Sequence, residues 1–481
     1  MSRTPFRRSS YGAVVVGSGP NGLAAAVALA KTGLSVLVVE ARATIGGGTR
    51  TEELTLPGFF HDVCSSVHPL ALASPFFRRL SLERYGLSWI EPPTPVAHVL
   101  DSDRVVTLEH SLDATAASFG RDGSAYRRLF EPFVSSFDEL LEAILGPLRF
   151  PEHPALLARF GLPALRSFQG LARSRFRGEE AQAVLAGIAA HAMLPLDRLA
   201  TGSIALLLGA AGHAVGWPIA RGGSRSISAA LAALLGDLGG EIVVDFEVRA
   251  LEQLPPARAY LFDTSPRALC EIAGARLPDS YRTAVKRFRY GPGVFKVDWA
   301  LDGPIPWTDP ACSRSATVHL AGSLEEVAKA EALAHADVVA EAPFVILTQP
   351  SLFDETRAPA GKHLAWGYCH VPHGSAVDAT EAIEAQVERA APGFQKRILA
   401  RAVKSAQSLE QYNPNYIGGD INGGMASLSQ LFFRPLVRAD PYATPAPDLF
   451  LCSSSTPPGG GVHGMCGYWA ARSALRNVFG G

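Results

Sequence analysis

Three spaced glycines near the N-terminus constrain the fold more than any other feature. Gly17, Gly19 and Gly22 form the pattern G-x-G-x-x-G between an apolar stretch at 11–16 and an alanine-rich stretch at 21–32. In a strand–turn–helix unit, such glycines permit the tight turn, let the backbone approach a diphosphate and let the helix pack on the strand. The segment therefore predicts the start of a βαβ unit that binds a dinucleotide.

The residues that follow indicate which dinucleotide is bound. A second apolar strand is predicted at 35–40, and its last residue, Glu40, is placed to accept hydrogen bonds from ribose hydroxyl groups. A further glycine cluster, Gly46–Gly48, comes directly after this strand. NAD does not need a second close approach of the backbone, whereas a cofactor that continues past its diphosphate into a flavin does. The pattern therefore favours FAD.

Composition excludes several classes of protein. Of 481 residues, 47% are hydrophobic and 19% are charged, which is typical of a globular chain. The formal net charge is −1, so a nucleic-acid partner bound through bulk positive charge is not expected. The six cysteines form no C-x-x-C pair, which argues against zinc-ribbon and dithiol sites and fits a reducing compartment.

Two segments bear on localisation. Residues 1–10 are polar and basic and are not followed by the apolar region of a signal peptide, so we expect a cytoplasmic protein. The stretch 199–220 has no Asp, Glu, Lys or Arg, and it reads as a buried element or as a lipid-facing wall. We therefore expect a protein that touches membranes transiently at most, as a peripheral protein. The oligomeric state stays open.

The sequence VVVGSGPNGLAAAVALAKTG, followed by VVEARATIGGG, resembles the N-terminal signature of FAD enzymes of the amine oxidase and phytoene desaturase superfamily. Residues 449–475 resemble the C-terminal flavin motif of the carotenoid desaturases, and 56–77 resemble the phytoene-dehydrogenase-related branch. This resemblance implies an α/β fold, in which a Rossmann-like FAD-binding domain is interleaved with a substrate domain of mixed β-sheet and helices.

The expected domains alternate along the chain. The FAD-binding domain is expected at 1–87, 216–289 and 418–481, the helical part of the substrate domain at 88–215, and its mixed β-sheet at 290–417.

The resemblance also implies the cofactor contacts. They are Gly17, Ser18, Gly19, Pro20, Asn21 and Gly22 at the diphosphate; Glu40, Ala41 and Arg42 at the adenosine ribose; Gly46, Gly47, Gly48 and Thr49 near the ribityl chain and flavin; Val248, through its backbone, at the adenine; and Pro458, Gly459, Gly460, Gly461, Val462 and His463 facing the isoalloxazine. Gly48 departs from the pattern, because many relatives have an arginine at this position.

Candidate catalytic groups are few. His463 is the only ionisable side chain in its glycine loop, and at the start of the tail helix we expect it to be neutral and able to exchange a proton. His68, after the second glycine cluster, is a further candidate, and for both the alternative is a packed structural histidine. Covalent attachment of the flavin through Cys64, Cys452 or Cys466 stays open.

No metal site is expected. His370 and His373 stand three residues apart in the sequence HVPH, but no further ligands cluster beside them.

The function expected from these features is an FAD-dependent oxidoreductase of the phytoene desaturase type. It would take a hydride from an apolar, isoprenoid or lipid-like substrate onto flavin N5, with oxygen or a quinone as the electron acceptor. One alternative is a flavin amine oxidase. Such enzymes usually have a lysine near the flavin, and here none of the seven lysines adjoins the glycine motifs, which argues against this alternative. Another is a flavoprotein without net redox turnover, either an isomerase or a partner-binding protein.

Overall fold

A computed structural model describes residues 5–480; residues 1–4 and 481, at the outer ends of the expected FAD-binding segments, lie outside it. The strands, numbered in chain order, are β1 (Tyr11–Val16), β2 (Val36–Val39), β3 (Thr51–Glu53), β4 (Phe60–Asp62), β5 (Trp89–Ile90), β6 (Thr94–Val99), β7 (Val105–Leu108), β8 (Ile219–Ala220), β9 (Glu241–Val243), β10 (Ala257–Phe262), β11 (Gly293–Leu301), β12 (Ser315–Leu320), β13 (Val345–Thr348), β14 (His363–Val371), β15 (Ile398–Lys404) and β16 (Leu449–Leu451).

The helices are α1 (Pro20–Ala30), α2 (Pro69–Leu72), α3 (Leu112–Ser118), α4 (Gly123–Ser135), α5 (Phe137–Ile144), α6 (Pro154–Ala164), α7 (Phe168–Arg175), α8 (Glu179–Ala190), α9 (Thr201–Ala214), α10 (Arg225–Asp237), α11 (Pro266–Ala273), α12 (Asp279–Val285), α13 (Pro310–Arg314), α14 (Leu324–His335), α15 (Thr380–Ala390), α16 (Ala406–Tyr412), α17 (Leu428–Phe432) and α18 (Met465–Ala474).

The first sheet has the order β16-β10-β1-β2-β9, and all of its strands are parallel. Its central strand, β1, is buried on both faces: Ala13 and Val15 pack toward α1, α10 and α18, while Val14 and Val16 pack toward α11 and α12. Continuous apolar runs are typical of parallel strands covered by helices on both sides. The predicted βαβ opening is therefore present.

The second sheet has the order β15-β11-β14-β13-β12-β6-β7 and is antiparallel except where β6 pairs with β12. One face packs on α15, through residues such as Trp299 and Val387, and the other supports a layer that includes α8 and α14. Its strands come from 94–108 and 293–404, between segments that build the first sheet. The two sheets thus alternate along the chain, and the exact domain boundaries stay predictions.

Two local elements differ from those that the sequence predicts. The apolar positions of residues 126–145 predict one continuous helix, but the structure has two, α4 and α5, which are separated at Ser136 because its backbone (φ −126°, ψ 42°) is not helical. The sequence of residues 241–248 predicts one strand, but β9 ends at Val243, because Asp245 adopts a positive φ of 54° and its N–H donates to the Arg42 carbonyl.

The uncharged stretch 199–220 forms α9, which is packed inside the helical layer. Leu206 and Ala210 are at most 1% exposed, and α4, α6 and α8 contact the helix. Most of this stretch is therefore packed in the core, which favours the buried-element alternative, and the lipid-facing alternative stays a prediction. Within residues 5–480, no helix combines the length and the apolar composition needed to cross a membrane.

A buried carboxylate connects four segments of the fold. Asp62, at the end of β4, pairs with Arg357 at 2.9 Å, and both side chains are about 1% exposed. The same carboxylate accepts hydrogen bonds from Thr51, Ser66 and the Ser224 N–H. Burial acts to raise the pKa of Asp62, but the ion pair and these bonds outweigh it and lower the pKa to about 2.

Replacing Arg357 by methionine should destabilise the protein by about 3–5 kcal/mol, because the change leaves the Asp62 charge buried and unpaired. Thermal and urea unfolding measure the loss. Arg104→Met is the matched control, since Arg104 pairs with Asp101 on the surface and such pairs contribute about 1 kcal/mol or less. Equal losses for the two variants would contradict the role given to the buried pair.

Candidate functional site

A cavity of about 460 Å³ extends from the carboxyl end of the first sheet to the second sheet. Of the residues that the sequence predicts for the site, those lining it are Gly17, Ser18, Gly19, Pro20, Asn21, Glu40, Ala41, Arg42, Gly47, Gly48, Thr49, His68, Val248, Gly461 and Val462. Those that do not line it are Gly22, Gly46, Pro458, Gly459, Gly460 and His463. The two predicted glycine clusters therefore meet at one cavity.

The two clusters are in direct backbone contact. Gly46 N–H donates to the Ser18 carbonyl at 3.0 Å, and a Cβ on Gly47, where φ is +53°, would lie 3.1 Å from the Gly19 Cα. Helix α1 begins at Pro20, its N-cap residue Gly19 has no side chain, and Gly19, Pro20 and Asn21 line the cavity. A surface of bare backbone at a helix N-terminus suits a diphosphate.

Glu40 holds the first glycine loop as well as lining the cavity. Its Oε2 accepts hydrogen bonds from the Ser18 N–H (3.0 Å) and hydroxyl (2.6 Å), and its Oε1 accepts from Arg42 N–H and from the Arg50 guanidinium. The carboxylate is thereby fixed at the end of β2, beside the place expected for a ribose. Arg50, which the sequence does not single out, is the cation that balances this buried charge.

Asp263 is a cavity residue that sequence reasoning missed. It follows β10, and its Oδ2 accepts the Gly22 N–H at 2.9 Å and would lie 2.6 Å from a Cβ on Gly19. Burial, together with the nearby charge of Glu40, raises the pKa of Asp263 to about 7 despite the hydrogen bond from Gly22. A carboxyl group with this pKa beside a diphosphate site is half neutral near pH 7.

Gly48 is required by a neighbour on another segment. A Cβ at this position would collide with the hydroxyl group of Tyr416, which lines the cavity and packs beside Cys64. Tyr416 thus occupies the space next to the Gly48 backbone, so this position has no room for a side chain.

His463 lies beside the cavity, not in its lining. Its imidazole is buried, and Nδ1 accepts the N–H of Met465 at 3.0 Å, so the ring caps the first turn of α18. Burial lowers the pKa of His463 to about 4. The ring is neutral as predicted, although burial is the cause. The geometry favours the structural alternative for this residue.

His68 lines the cavity, and its protonation can be derived from its neighbours. The Ser224 hydroxyl donates to the Ser65 carbonyl at 2.5 Å, so His68 Nε2, 2.7 Å from the same oxygen, is the donor of that bond. Burial lowers the pKa of His68 to about 4, and Nδ1 is left without a proton or a partner. A catalytic role for His68 stays a prediction.

The three cysteines considered for covalent flavin attachment lie at different distances from the cavity. Cys64 lines the cavity, whereas Cys466 lies behind the tail loop with its thiol directed at the Gly459 carbonyl, and Cys452 is buried outside the lining. Burial raises the pKa of Cys64.

His370 pairs with Glu331 at 2.7 Å, and His373 bonds to the Gly291 carbonyl instead of sharing a ligand with it. Across residues 5–480, no group of three or more His, Cys, Asp or Glu side chains is arranged to hold a metal ion.

A buried lysine beside the cavity was also missed. Lys296, on β11, is 2% exposed, pairs with Asp298 and lies 5.0 Å from the ring centre of Trp366, which lines the cavity. Asp298 also lies 3.3 Å from the ring of His61. A lysine that is far from the glycine motifs in sequence therefore lies behind the wall of the cavity that these motifs also line. Its signal was the strand VFKVDWAL, whose period of two places Lys296 and Asp298 on one face.

The far end of the cavity is formed by the second sheet and the helical layer, and we call it the apolar chamber. Its lining residues carry no carboxylate, ammonium or guanidinium group: they are His191, Leu208, Trp217, Thr317, Ile346, Thr348, Trp366 and Tyr368.

Comparisons with known proteins agree with this architecture. A family model described as an NAD(P)-binding Rossmann-like domain matches residues 15–80. Pyridine nucleotide-disulfide oxidoreductase domain-containing protein 2 of Mus musculus is 27% identical, over 98% of this chain and 94% of that protein. A limonene dehydrogenase polypeptide of Castellaniella defragrans is 31% identical over 132 residues, which is 27% of this chain and 24% of that protein. A solved putrescine oxidase variant is 17% identical, with a TM-score of 0.62 over 98% of this chain and 99% of that one.

The predicted fold class is confirmed: the chain has a Rossmann-like domain within the fold of the flavin amine oxidases. FAD, the predicted cofactor, is the one that this fold implies, and the cavity fits it. The bare backbone of the two glycine clusters at the start of α1 would hold the diphosphate, and Glu40 lies where the ribose is expected. The relatives and solved structures to which the chain is similar are named as oxidoreductases, dehydrogenases or oxidases.

Gly19→Val should abolish FAD binding, because the new side chain would meet Asp263 and occupy the diphosphate end of the cavity. Titration of the FAD-free protein with FAD, followed by flavin fluorescence, measures the loss. The matched control is Gly236→Ala on α10, where a Cβ meets nothing within 4 Å. Retention of FAD by Gly19→Val would show that the diphosphate lies elsewhere.

Asp263 should make FAD affinity depend on pH. Below its pKa of about 7 the carboxyl group is neutral, and above it the charge repels the diphosphate, so the dissociation constant should rise by about tenfold between about pH 6 and pH 8.5. In Asp263→Asn the rise should disappear. A variant with the same pH profile as the wild-type protein would assign the dependence to another group.

Proposed function

We propose that the protein is an FAD-dependent oxidoreductase that dehydrogenates an apolar, isoprenoid or lipid-like substrate, as the resemblance to the phytoene desaturase branch suggests. The observation that carries the proposal is the apolar chamber, which continues directly from the glycine clusters and bears no formally charged side chain. A substrate without charges is matched by such walls, since burying an unpaired charge there would be costly.

The partial match to the limonene dehydrogenase polypeptide supports the same substrate class, because limonene is an apolar terpene. Because this match covers only about a quarter of each chain, it supports the proposal less strongly than the apolar chamber does. The six cysteines are all free, and none of them forms a pair for disulfide chemistry, so the dithiol relay suggested by the name of the mouse relative is not part of the proposal.

Bound FAD would supply the hydride acceptor at its N5. The chain's own groups then bind, orient and exclude water. Leu208, Trp217 and Ile346 provide the apolar surface, and the neutral His68 ring has an unprotonated Nδ1 that can receive a proton. Lys296 and Asp298 form a fixed dipole behind the Trp366 ring without entering the cavity lining.

A flavin amine oxidase is the second candidate, and two observations favour it. Lys296 is buried beside the cavity, and Trp366 and Tyr368 stack at 5.6 Å with an angle of 19° between their planes on the chamber wall. Aromatic faces attract ammonium groups. No carboxylate lines the chamber to balance such a cation, which is why we rank the apolar substrate first.

Several expectations are carried forward as part of the proposal. The electron acceptor is oxygen or a quinone, nucleic acid is not a partner, and any membrane contact is transient and peripheral. A flavoprotein without net redox turnover is the third possibility.

Anaerobic mixing of the FAD-loaded protein with substrate separates the candidates. Limonene should bleach the visible absorbance of the flavin, while benzylamine and NADPH should leave it unchanged, because neither a cation site nor a second nucleotide site is proposed. Bleaching by benzylamine alone would favour the amine oxidase. An unchanged flavin with every apolar and amine compound would point to the function without redox turnover.

A further inference from the structure

One ring nitrogen in the apolar chamber has a protonation state that the surrounding structure determines. His191 follows α8, lines the cavity and is partly exposed to it, and its Nε2 lies 3.1 Å from Nε2 of His319 on β12. His319 in turn is beside His98 on the paired strand β6, with ring centres 5.9 Å apart. These three rings connect the chamber to the core, and we call them the histidine chain.

The assignment of protons along the histidine chain begins at a backbone carbonyl group. His98 Nε2 lies 2.7 Å from the Gly322 oxygen, which can only accept, so His98 carries its proton on Nε2. Burial lowers the pKa of His98 to about 4, so the ring is neutral and its Nδ1 is bare. That nitrogen faces Gly187 on α8, where a side chain would collide with it.

His319 comes next and is fully buried. Burial lowers its pKa far below the usual value, so this ring is also neutral and carries a single proton. Its Nδ1 has no hydrogen-bond partner, and a proton placed there would be a buried donor without an acceptor. The proton therefore belongs on Nε2, from which it is donated to His191.

His191 receives this bond on Nε2. Burial, together with repulsion from His370, lowers the pKa of His191 to about 3, so the ring is neutral and its one proton must lie on Nδ1. The histidine chain thus leaves an N–H donor on the side of the His191 ring that is turned away from His319. The other polar groups of the chamber's lining residues are the hydroxyl groups of Thr317, Thr348 and Tyr368 and the indole N–H groups of Trp217 and Trp366.

We infer that His191 binds an uncharged oxygen of the substrate, a carbonyl or hydroxyl group on an otherwise apolar skeleton, through its Nδ1–H. This inference rests on the apolar-substrate function proposed above and specifies the substrate class. An ammonium group has only donors, so it is not matched by this nitrogen. A hydrocarbon has no acceptor for the Nδ1–H of His191, so its binding would leave a buried donor without a partner.

Binding of two ligands with one skeleton tests the inference on the FAD-loaded protein. Carvone has a ring carbonyl where limonene has a methylene group, and quenching of tryptophan fluorescence reports both, since Trp217 and Trp366 line the chamber. His191→Leu should weaken carvone binding by about tenfold and change limonene binding by less than about twofold. His191→Gln retains a donor and should recover most of the carvone affinity.

Ile346→Val is the matched control, because it removes one methyl group from the same wall and should affect both ligands equally. The inference is overturned if His191→Leu also affects the two ligands equally, or affects neither. The outcome does not depend on flavin reduction. Selective carvone binding without turnover would sink the proposed oxidoreductase and keep the inference, and turnover without selectivity would do the reverse.

Ring ¹⁵N chemical shifts give a second readout that involves no ligand. In the FAD-loaded protein, the His191 signals, identified by their loss in His191→Gln, should show a protonated Nδ1 and an unprotonated Nε2. The opposite tautomer would overturn the inference directly.

Discussion

Close backbone contacts that only glycine permits are what the FAD-binding half depends on. A Cβ on Gly22 would meet the carbonyl oxygen of the first glycine loop, one on Gly47 would press on Gly19, and one on Gly467 would meet the Asn21 carbonyl. Through these contacts the start of α1, the second glycine cluster and the C-terminal helix α18 meet at one place. The cavity has its shape because three distant parts of the chain approach at backbone distance there.

Sequence reasoning succeeded where the chemistry is local. A glycine pattern, the strand before it and the helix after it lie within one short segment, so β1, α1, β2 and the cavity-lining glycines could be predicted together. Asp263 could not, because it reaches the glycine loop through the pairing of Phe262 with Val16 in the parallel sheet. Its only signal was an acid directly after an apolar strand, and that signal becomes meaningful once the strand order is known. Lys296 reaches the other side of the cavity in the same way.

The tail loop shows a different limit. Its position beside the cavity was predicted, and Gly461 and Val462 do line it, but the direction of the His463 ring depends on which N–H it caps. A histidine at a helix start can cap the helix or face a ligand, and the sequence is the same in both cases. In the structure the ring caps α18, and the same turn is held by a hydrogen bond from the Ser74 hydroxyl to the His463 carbonyl and by Phe77 beside Gly464.

The two ends of the cavity differ in charge: charged side chains line the glycine end, and none lines the apolar chamber. At the glycine end, Glu40, Arg42, Arg50 and Asp263 surround a place suited to a charged diphosphate. At the chamber end, burial keeps the rings of His191 and His319 neutral, and the Lys296–Asp298 ion pair lies behind the Trp366 ring. In the proposed function a hydride leaves an uncharged substrate, and the charge that develops there would need electrostatic stabilisation. The fixed dipole of Lys296 and Asp298 behind the Trp366 ring would supply it without placing a charged group in the lining of the chamber.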